Sequence, residues 1–302
     1  MTGVIVVNKP QEFTSFDVVA VMRGCFRTKK VGHGGTLDPM AEGVLPIFVG
    51  GATKAADLVP DQDKSYRAGF RLGLTSDTLD IWGKCTDRRS VCISAAELEG
   101  ALAQFRGDIM QVPPMYSALK INGQKLCDLA RKGIEVERRP RPITVSRLAA
   151  TAFDGCSGII EVDCSSGTYI RSLIDDIGAA LGTGAVMTSL VRTRSCGFTI
   201  AESYPLSELK TMDYGALCRL LRPVESVFET LPEIKLDEVQ QRLYMNGVRL
   251  DADRLSYKPE ADRLCRICGA EGFIGVAMVN GDNELVPVKR FSDQARTEPM
   301  IR

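Results

Sequence analysis

A glycine-rich segment near the N-terminus holds the residue best suited to chemistry. Residues 31–46 read VGHGGTLDPMAEGVLP, so Asp38 follows three glycines and directly precedes Pro39. Glycine lets the backbone come close to a ligand, and a following proline disfavours the helical conformation for the aspartate. A carboxylate presented in this way can act as a base or a nucleophile. Asp38 could equally cap a helix that begins near Met40, and spacing alone does not separate these two interpretations.

The charge of the chain gives no support to nucleic-acid binding, because 38 basic residues balance 38 acidic residues and the net charge is zero. Any RNA contact must therefore come from local basic groups. Two such groups occur: Arg23, Arg27, Lys29 and Lys30 before the glycine-rich segment, and Arg131, Lys132, Arg138, Arg139 and Arg141 around residue 135. Each group is also compatible with an ordinary solvated surface.

The cysteines and the N-terminus limit the class of protein. Ten cysteines are scattered along 302 residues, and only Cys265 and Cys268 form a CxxC pair. A structural zinc site needs four ligands, and the sole histidine, His33, lies far away in sequence, so we expect reduced thiols and no metal. The first residues lack the features of a signal peptide, and no apolar run reaches membrane-spanning length. We therefore expect a cytoplasmic protein.

The elements that must position Asp38 can be predicted from local signals. A buried strand is expected at residues 4–8, and Thr14 with Asp17 forms a capping box. The helix that follows should point four apolar residues inward: Phe16, Val19, Met22 and Phe26. A second capping box, Ser94 with Glu97, begins another helix, and a third helix should follow Thr168 and end at Gly182. Further strands are expected at residues 65–73, 143–153, 158–164 and 185–193.

Two regions depart from this pattern. Residues 112–142 are irregular and rich in proline, with a short helix stopped by Gly133, which predicts an arm over residues 113–142 outside the main sheet. Residues 206–221 read as helical, and the tail shows short strands with turns at Asn246-Gly247 and Asn280-Gly281. The sequence therefore predicts an α+β protein with one large domain, residues 1–230, and a small β domain, residues 231–302.

The glycine-rich segment resembles a family signature. GHGGTLDPMAEGVLP is similar to the GHTGTLDP-x-A-x-G-x-LP motif of the TruB family of RNA pseudouridine synthases, with Gly34 in place of threonine and Glu42 in place of a small or hydroxyl residue. Asp38 is kept. Other segments resemble the family in the same order: NKPQEFTS, GGATK, KSYRAGFRLG, PPMYSALKINGQKL, RPRPITV and CSSGTYIRSLIDDIG. Together these segments span most of residues 1–195.

The resemblance implies a fold and an activity. The fold would be a mixed, mainly antiparallel sheet in the catalytic domain, followed by a β-barrel-like PUA domain that binds RNA. The activity would be isomerisation of the uridine at position 55, in the T-loop of tRNA, to pseudouridine: uracil leaves its ribose and rejoins it through carbon. The base must leave the stack before the reaction. The resemblance implies no cofactor, no metal and no obligatory protein partner, and we expect a monomer.

The resemblance also assigns roles to individual residues. Asp38 would be catalytic, attacking the ribose C1′ or the base C6, or removing the C2′ proton to give a glycal; we favour the glycal route. Arg171 would lie near Asp38 and pair with Asp80, and Tyr66 would stack on the flipped base. The remaining assignments are Tyr169 in the pocket, Leu190 as an apolar wall, His33 as a residue that enters the RNA fold, and Lys9 and Lys54 near the active site or the RNA.

Three other functions are open. An RNA-binding or RNA-folding protein could keep the pocket without chemistry, although the joint presence of Asp38, Tyr66 and Arg171 disfavours this. A guide-RNA-dependent synthase would work with partner proteins, whereas the short N-terminus and the long arm favour a stand-alone enzyme. A zinc deaminase would need a His or Cys near a glutamate and a Pro-Cys-x-x-Cys pair, and the segment CRIC at residues 265–268 lacks that proline.

Overall fold

β-Strands make up most of the regular structure in this computed structural model, which describes residues 1–87, 91–121, 123–257 and 259–291. The strands are β1 (Gly3–Lys9), β2 (Val31–His33), β3 (Glu42–Val49), β4 (Lys64–Leu72), β5 (Leu74–Ser76), β6 (Cys85–Asp87), β7 (Gly107–Gln111), β8 (Lys120–Ile121), β9 (Gln124–Lys125), β10 (Arg141–Phe153), β11 (Ser157–Cys164), β12 (Ala185–Ser195), β13 (Phe198–Thr199), β14 (Tyr204–Pro205), β15 (Glu233–Lys235), β16 (Leu250–Asp251), β17 (Leu264–Gly269), β18 (Gly272–Val279) and β19 (Glu284–Arg290). The helices are α1 (Ser15–Cys25), α2 (Ala95–Ala103), α3 (Leu126–Ala130), α4 (Ile170–Ala180), α5 (Leu206–Leu209), α6 (Tyr214–Arg219) and α7 (Glu238–Met245).

The larger sheet runs in the order β14-β1-β3-β12-β4-β11-β10-β7, with β2 paired to β3 and β13 paired to β12. The pairs β1–β14 and β3–β12 are parallel, and the other neighbours are antiparallel. The sheet is therefore mixed and mainly antiparallel, and the predicted α+β class is confirmed. The parallel pairing of β3 with β12 places Gly43, in the later part of the glycine-rich segment, beside Arg192.

Both faces of this sheet are covered, as β1 shows. Ile5 and Val7 face a core that includes residues of α1, α2 and α4, whereas Val4 and Val6 face a second core around Phe228. Successive side chains of a strand point to opposite faces, so a strand buried on both sides must be apolar at consecutive positions. The run VIVV at residues 4–7 meets this requirement and places β1 in the interior.

Residues 112–140 leave the sheet between two strands that pair with each other. Arg141 of β10 lies opposite Gln111 of β7, so the chain leaves and returns at one edge of the sheet. This excursion, which we call the arm, holds the β8–β9 pair and α3, and the chain turns at Gly133 with a φ of 71°. Glycine tolerates this left-handed conformation without a steric penalty. The arm carries Ser117 to the cleft described below.

A five-stranded sheet in the order β15-β17-β18-β19-β16 forms the C-terminal part. It packs on the second face of the larger sheet through three aromatic rings, Phe228, Phe273 and Phe291, whose centroids lie 5.7 Å apart. Arg266 of β17 also pairs with Glu225, with 3.0 Å between Nη1 and Oε1. Stacked rings and a partly buried ion pair join the two sheets over a continuous apolar contact.

Two local predictions are wrong, and one alternative left open by the sequence is excluded. Phe16 is 61% exposed, and Val18 takes the inward position on α1, while the Phe16 ring lies under the Arg23 guanidinium. The residues after Asp38 form a turn that leads into β3, so Asp38 caps no helix. The Asn246-Gly247 pair ends helix α7 instead of joining two strands, because Gly247, with a φ of 81°, donates its amide to Tyr244 O.

Candidate active site

The segment between β2 and β3 forms one wall of a cleft with a volume of about 370 Å³. Strands β4 and β12, the start of α4 and the arm complete the walls. Five of the residues singled out from the sequence line this cleft: Asp38, Tyr66, Tyr169, Arg171 and Leu190. Residues that are 152 positions apart in the chain therefore meet at one site, and its volume suits a small ligand.

An ion pair between Asp38 and Arg171 dominates the cleft. Arg171 Nη2 lies 2.7 Å from Asp38 Oδ2, and the arginine side chain is 5% exposed whereas the aspartate side chain is 39% exposed. The carboxylate therefore reaches the cleft while the guanidinium stays behind it. An ion pair of this length fixes the orientation of the carboxylate.

The Arg171 guanidinium is itself held from three sides. Its Nη1 donates to Thr78 O at 3.0 Å and its Nη2 donates to Tyr116 O at 2.8 Å, while Nε lies 3.9 Å from Asp80 Oδ2. Asp80 in turn accepts a hydrogen bond from Thr78 Oγ1 at 2.8 Å. Asp80 does not line the cleft, so it holds the arginine from behind. The guanidinium can adopt only one position that satisfies all these contacts.

Helix α1 and strand β1 fix the loop that carries Asp38. Ser15 Oγ accepts the amide of Leu37 at 2.7 Å and donates to Leu37 O at 3.2 Å. Lys9 is fully buried, and its Nζ donates to Phe13 O at 2.6 Å and to Pro39 O at 3.5 Å. Burial lowers the pKa of Lys9 to about 8, against the attraction of Asp38. Lys9 therefore supports the loop from below and is not open to a ligand.

Arg192 is a further support of this loop that the sequence interpretation missed. Its side chain is fully buried on β12, where Nη2 donates to Gly35 O at 3.1 Å and Nη1 to Thr36 O at 3.2 Å. Its Nε donates to Val44 O at 2.8 Å. Arginine is among the residues least often buried, so neither composition nor periodicity indicates this role. The guanidinium ties both ends of the glycine-rich segment to the centre of the sheet.

The two tyrosines of the cleft are held in different ways. Tyr66 is 7% exposed on β4, and burial raises the pKa of its hydroxyl to about 12, so the group stays protonated at neutral pH. Tyr169 precedes α4, where the Gln111 side chain accepts the Tyr169 amide at 2.8 Å and donates to Tyr169 O at 3.1 Å. Burial also raises the pKa of the Tyr169 hydroxyl. Both rings face the cleft in fixed positions.

Two residues singled out from the sequence lie elsewhere. His33 is half-buried at the end of β2, where burial and the nearby Arg192 lower its pKa, and its Nδ1 has no hydrogen-bond partner among the described residues. Lys54 is exposed on the 3-10 turn Gly50–Ala55 and lines a separate cleft of about 640 Å³, which we call the basic cleft. Its other lining residues include Arg249, Lys289 and Arg290.

Two lining residues were overlooked, although both belong to segments that resemble the family. Lys64 begins β4, and burial together with Arg192 lowers its pKa. Ser117 is 5% exposed on the arm, and its hydroxyl has no hydrogen-bond partner among the described residues. An unpaired buried hydroxyl is costly unless a ligand satisfies it. Within residues 1–87, 91–121, 123–257 and 259–291, no three His, Cys, Asp or Glu side chains cluster as a metal site would require.

Comparison with known proteins identifies the family. The model "TruB family pseudouridylate synthase (N terminal domain)" matches residues 23–170, and the model "tRNA pseudouridylate synthase B C-terminal domain" matches residues 171–229. A tRNA pseudouridine synthase B of Clostridium tetani is 43% identical over 277 residues, which cover 91% of this chain and 95% of that protein. This chain belongs to the TruB family.

Other TruB relatives and a solved structure extend the match. A tRNA pseudouridine synthase B of Chromobacterium violaceum is 39% identical over 294 residues, covering 97% of this chain and 96% of that protein. The crystal structure of a Cbf5-Nop10-Gar1 complex contains a chain that is 26% identical, with a TM-score of 0.75 over 96% of this chain and 84% of that one. The match extends through the C-terminal sheet. No helix in the described residues is long and apolar enough to cross a membrane.

Proposed function

We propose that this TruB-family chain isomerises a uridine in the T-loop of tRNA to pseudouridine, without a cofactor and without an obligatory protein partner. The observation that carries the proposal is the partly exposed carboxylate of Asp38, held 2.7 Å from the buried Arg171 in a cleft large enough for a base. Relatives of nearly the same length that carry the name tRNA pseudouridine synthase B support the choice of substrate.

The cleft suits a base that has left its stack. The ring of Tyr66 supplies a flat surface for stacking, and Leu190 supplies an apolar wall. The unpaired hydroxyl of Ser117 can bond a polar edge of uracil, which would remove the cost of burying it alone. Asp38 is then the carboxylate that acts on the ribose or the base. The protonated hydroxyls of Tyr66 and Tyr169 can donate but cannot serve as bases at neutral pH.

The C-terminal sheet would bind the tRNA away from the reaction. We infer that it acts as a PUA-like domain, because two exposed cations of the C-terminal part, Arg249 before β16 and Lys289 on β19, share the basic cleft with Lys54 of the 3-10 turn Gly50–Ala55. Such a cleft can follow a phosphate backbone. The arm would cover the T-loop. The enzyme would work in the cytoplasm as a monomer. An activity assay with the purified protein alone tests whether it needs a partner.

The test is mass spectrometry of an unmodified tRNA transcript after incubation with the purified chain in EDTA. The wild-type protein should convert one T-loop uridine. Asp38→Asn keeps the shape of the side chain but removes its charge and basicity, so product formation should fall by about a thousandfold or more while binding persists. Binding and turnover are measured on the same RNA, since a folding defect would lower both.

The control is Asp282→Asn, which makes the same chemical change at an exposed turn between β18 and β19. It should retain full activity. Normal product formation by Asp38→Asn would refute the assignment of Asp38, and a wild-type protein that binds the transcript without converting it would favour the RNA-binding alternative.

A further inference from the structure

An exposed indole, whose backbone is joined to the active site through Asp80 and Arg171, has no part in the proposed chemistry. Trp82 is 52% exposed and the neighbouring Ile81 is 38% exposed, in the segment that joins β5 to β6. Tryptophan is on average among the more deeply buried residue types. Single exposed apolar residues are common on protein surfaces, so exposure alone assigns nothing to Trp82. Its backbone and its position carry the argument.

The backbone of this segment is pinned. The Ile81 amide donates to Met187 O of β12 at 2.9 Å, and the Trp82 amide donates to Asp80 Oδ1 at 3.1 Å. Gly83 follows, where an added Cβ would lie 2.2 Å from Thr78 Oγ1. A larger residue at position 83 would therefore have to displace the side chains of Ser76, Asp77 and Thr78. A backbone held this firmly keeps the indole at the surface instead of letting it fold into the core.

The position of Trp82 is set by the contacts that orient the catalytic carboxylate. Asp80 receives the Trp82 amide on one carboxylate oxygen and faces Arg171 with the other, and Arg171 holds Asp38. Three successive contacts thus join the Trp82 backbone to the reacting group. A nucleotide that occupies the cleft belongs to a longer strand, whose neighbouring bases pass over the surface around it. Because Trp82 is exposed and only three contacts separate its backbone from Asp38, we infer that it lies on that surface.

We propose that Trp82 is a stacking surface for an unpaired base of the bound RNA, outside the cleft that receives the target base. The proposal rests on the proposed function, because it takes the ligand to be an RNA loop. A base and an indole stack face to face without regard to sequence, since every base has a π face. Trp82 would therefore contribute to RNA affinity and to the position of the RNA strand relative to the cleft. Asp38 would remain the group that reacts.

The experiment uses the fact that this chain has one tryptophan. Its fluorescence reports on position 82 alone. We titrate Asp38→Asn, which prevents turnover, with an unmodified T-stem-loop, and we follow binding independently by the anisotropy of labelled RNA. Stacking should quench the tryptophan emission in parallel with the anisotropy change. Binding without any change in emission would overturn the proposal while leaving the proposed function intact.

Variants of the otherwise native chain supply the second measurement. Trp82→Ala should weaken stem-loop binding by about tenfold or more, and Trp82→Phe, which keeps an aromatic face, should recover most of that loss. The salt dependence of binding should keep its slope in both variants, because neither removes a charge. Tyr257→Ala, which removes another half-exposed ring from the C-terminal part, is the matched control and should bind normally.

The outcomes separate the two proposals. Unchanged RNA affinity in both Trp82 variants would overturn the stacking role. It would leave the exposed side chains of Ile81 and Trp82 as a contact for another protein. Quenching without product from the wild-type enzyme would sustain the stacking role and refute the isomerase. An RNA that fails to bind at all would refute both.

Discussion

Arg171 shows how several bonds to one side chain produce a single orientation at the active site. Its guanidinium donates to two carbonyl oxygens, Thr78 O and Tyr116 O, and forms an ion pair with Asp38 Oδ2. A lysine has the same charge but presents it as a point, and it cannot reproduce this planar set of donors. The charge of residue 171 and its geometry can therefore be tested separately.

We expect Arg171→Lys to lower kcat by about a hundredfold while KM changes little, because a small displacement of a reacting group has an effect of this size. Steady-state kinetics on a T-stem-loop provide both constants. Arg147→Lys is the matched control, since Arg147 forms an exposed pair with Glu161 at 3.0 Å, and exposed pairs contribute little. Full kcat in Arg171→Lys would mean that charge alone orients Asp38.

At the scale of elements, helix α4 must lie close to β12 for Arg171 to reach Asp38. Gly178 makes this possible: a Cβ at this position would lie 2.3 Å from the Ala185 amide nitrogen. That contact is with backbone, which cannot rotate away. The last turn of α4 and the first residue of β12 are thereby fixed to one another.

Gly178→Ala should lower the free energy of unfolding by about 1–3 kcal/mol and lower activity as well, because the displaced helix carries Arg171. Gly100→Ala is the matched control in α2, where an added Cβ meets nothing within 4 Å, and it should raise stability by about 0.4–1 kcal/mol. Urea unfolding measures both. A neutral Gly178→Ala variant would show that α4 can move without cost.

The elements that could be predicted are those specified by local chemistry. The capping boxes at Thr14 and Ser94 begin α1 and α2 as expected, because a cap depends only on residues three positions apart. Helix α7 was missed although Asp237 and Gln240 cap it in the same way. It is a single short helix, and an Asn-Gly pair is typical both of hairpin turns and of helix ends.

The active site was predictable only where its residues lie in segments that resemble the family signature. The motif around Asp38 indicated the cleft residues through resemblance, whereas Arg192 and Lys64 were missed. Arg192 binds carbonyl oxygens of residues 35, 36 and 44, so its role exists only after β12 has come beside β3. No periodicity in the sequence encodes such a contact. The resemblance placed Lys54 near the active site or the RNA, and Lys54 lines the separate basic cleft.

At the scale of the whole molecule, zero net charge is compatible with RNA binding only if cations are gathered locally. The basic cleft is such a place, whereas Arg138 of the arm is already bound to Pro113 O at 3.1 Å and to Glu135. The contacts of the Arg138 side chain therefore serve mainly to stabilise the arm. Exposed cations of the basic cleft are better candidates for phosphate contacts.

We expect Lys54→Gln combined with Lys289→Gln to weaken binding of full-length tRNA and to reduce its salt slope by about 0.7–0.9 for each phosphate that these lysines no longer neutralise. An isolated T-stem-loop should bind as before, because it lacks the part of tRNA that would reach the cleft. Lys235→Gln, at a 79% exposed side chain on β15, is the control. Equal weakening for both RNAs would place the T-loop itself at the basic cleft.

The hydrogen bonds from Arg192 to the glycine-rich segment determine when, during synthesis of the chain, the active site can be completed. Asp38 and Tyr66 leave the ribosome early, but Arg171, Leu190 and Arg192 all follow residue 170, where the N-terminal family model ends. A nascent chain that stops there holds Asp38 without the side chains that orient its carboxylate and anchor its loop. Contacts between residues so distant in sequence form late, because closing the intervening chain costs entropy. Catalytic competence therefore arrives with β12, after most of the large sheet has been synthesised.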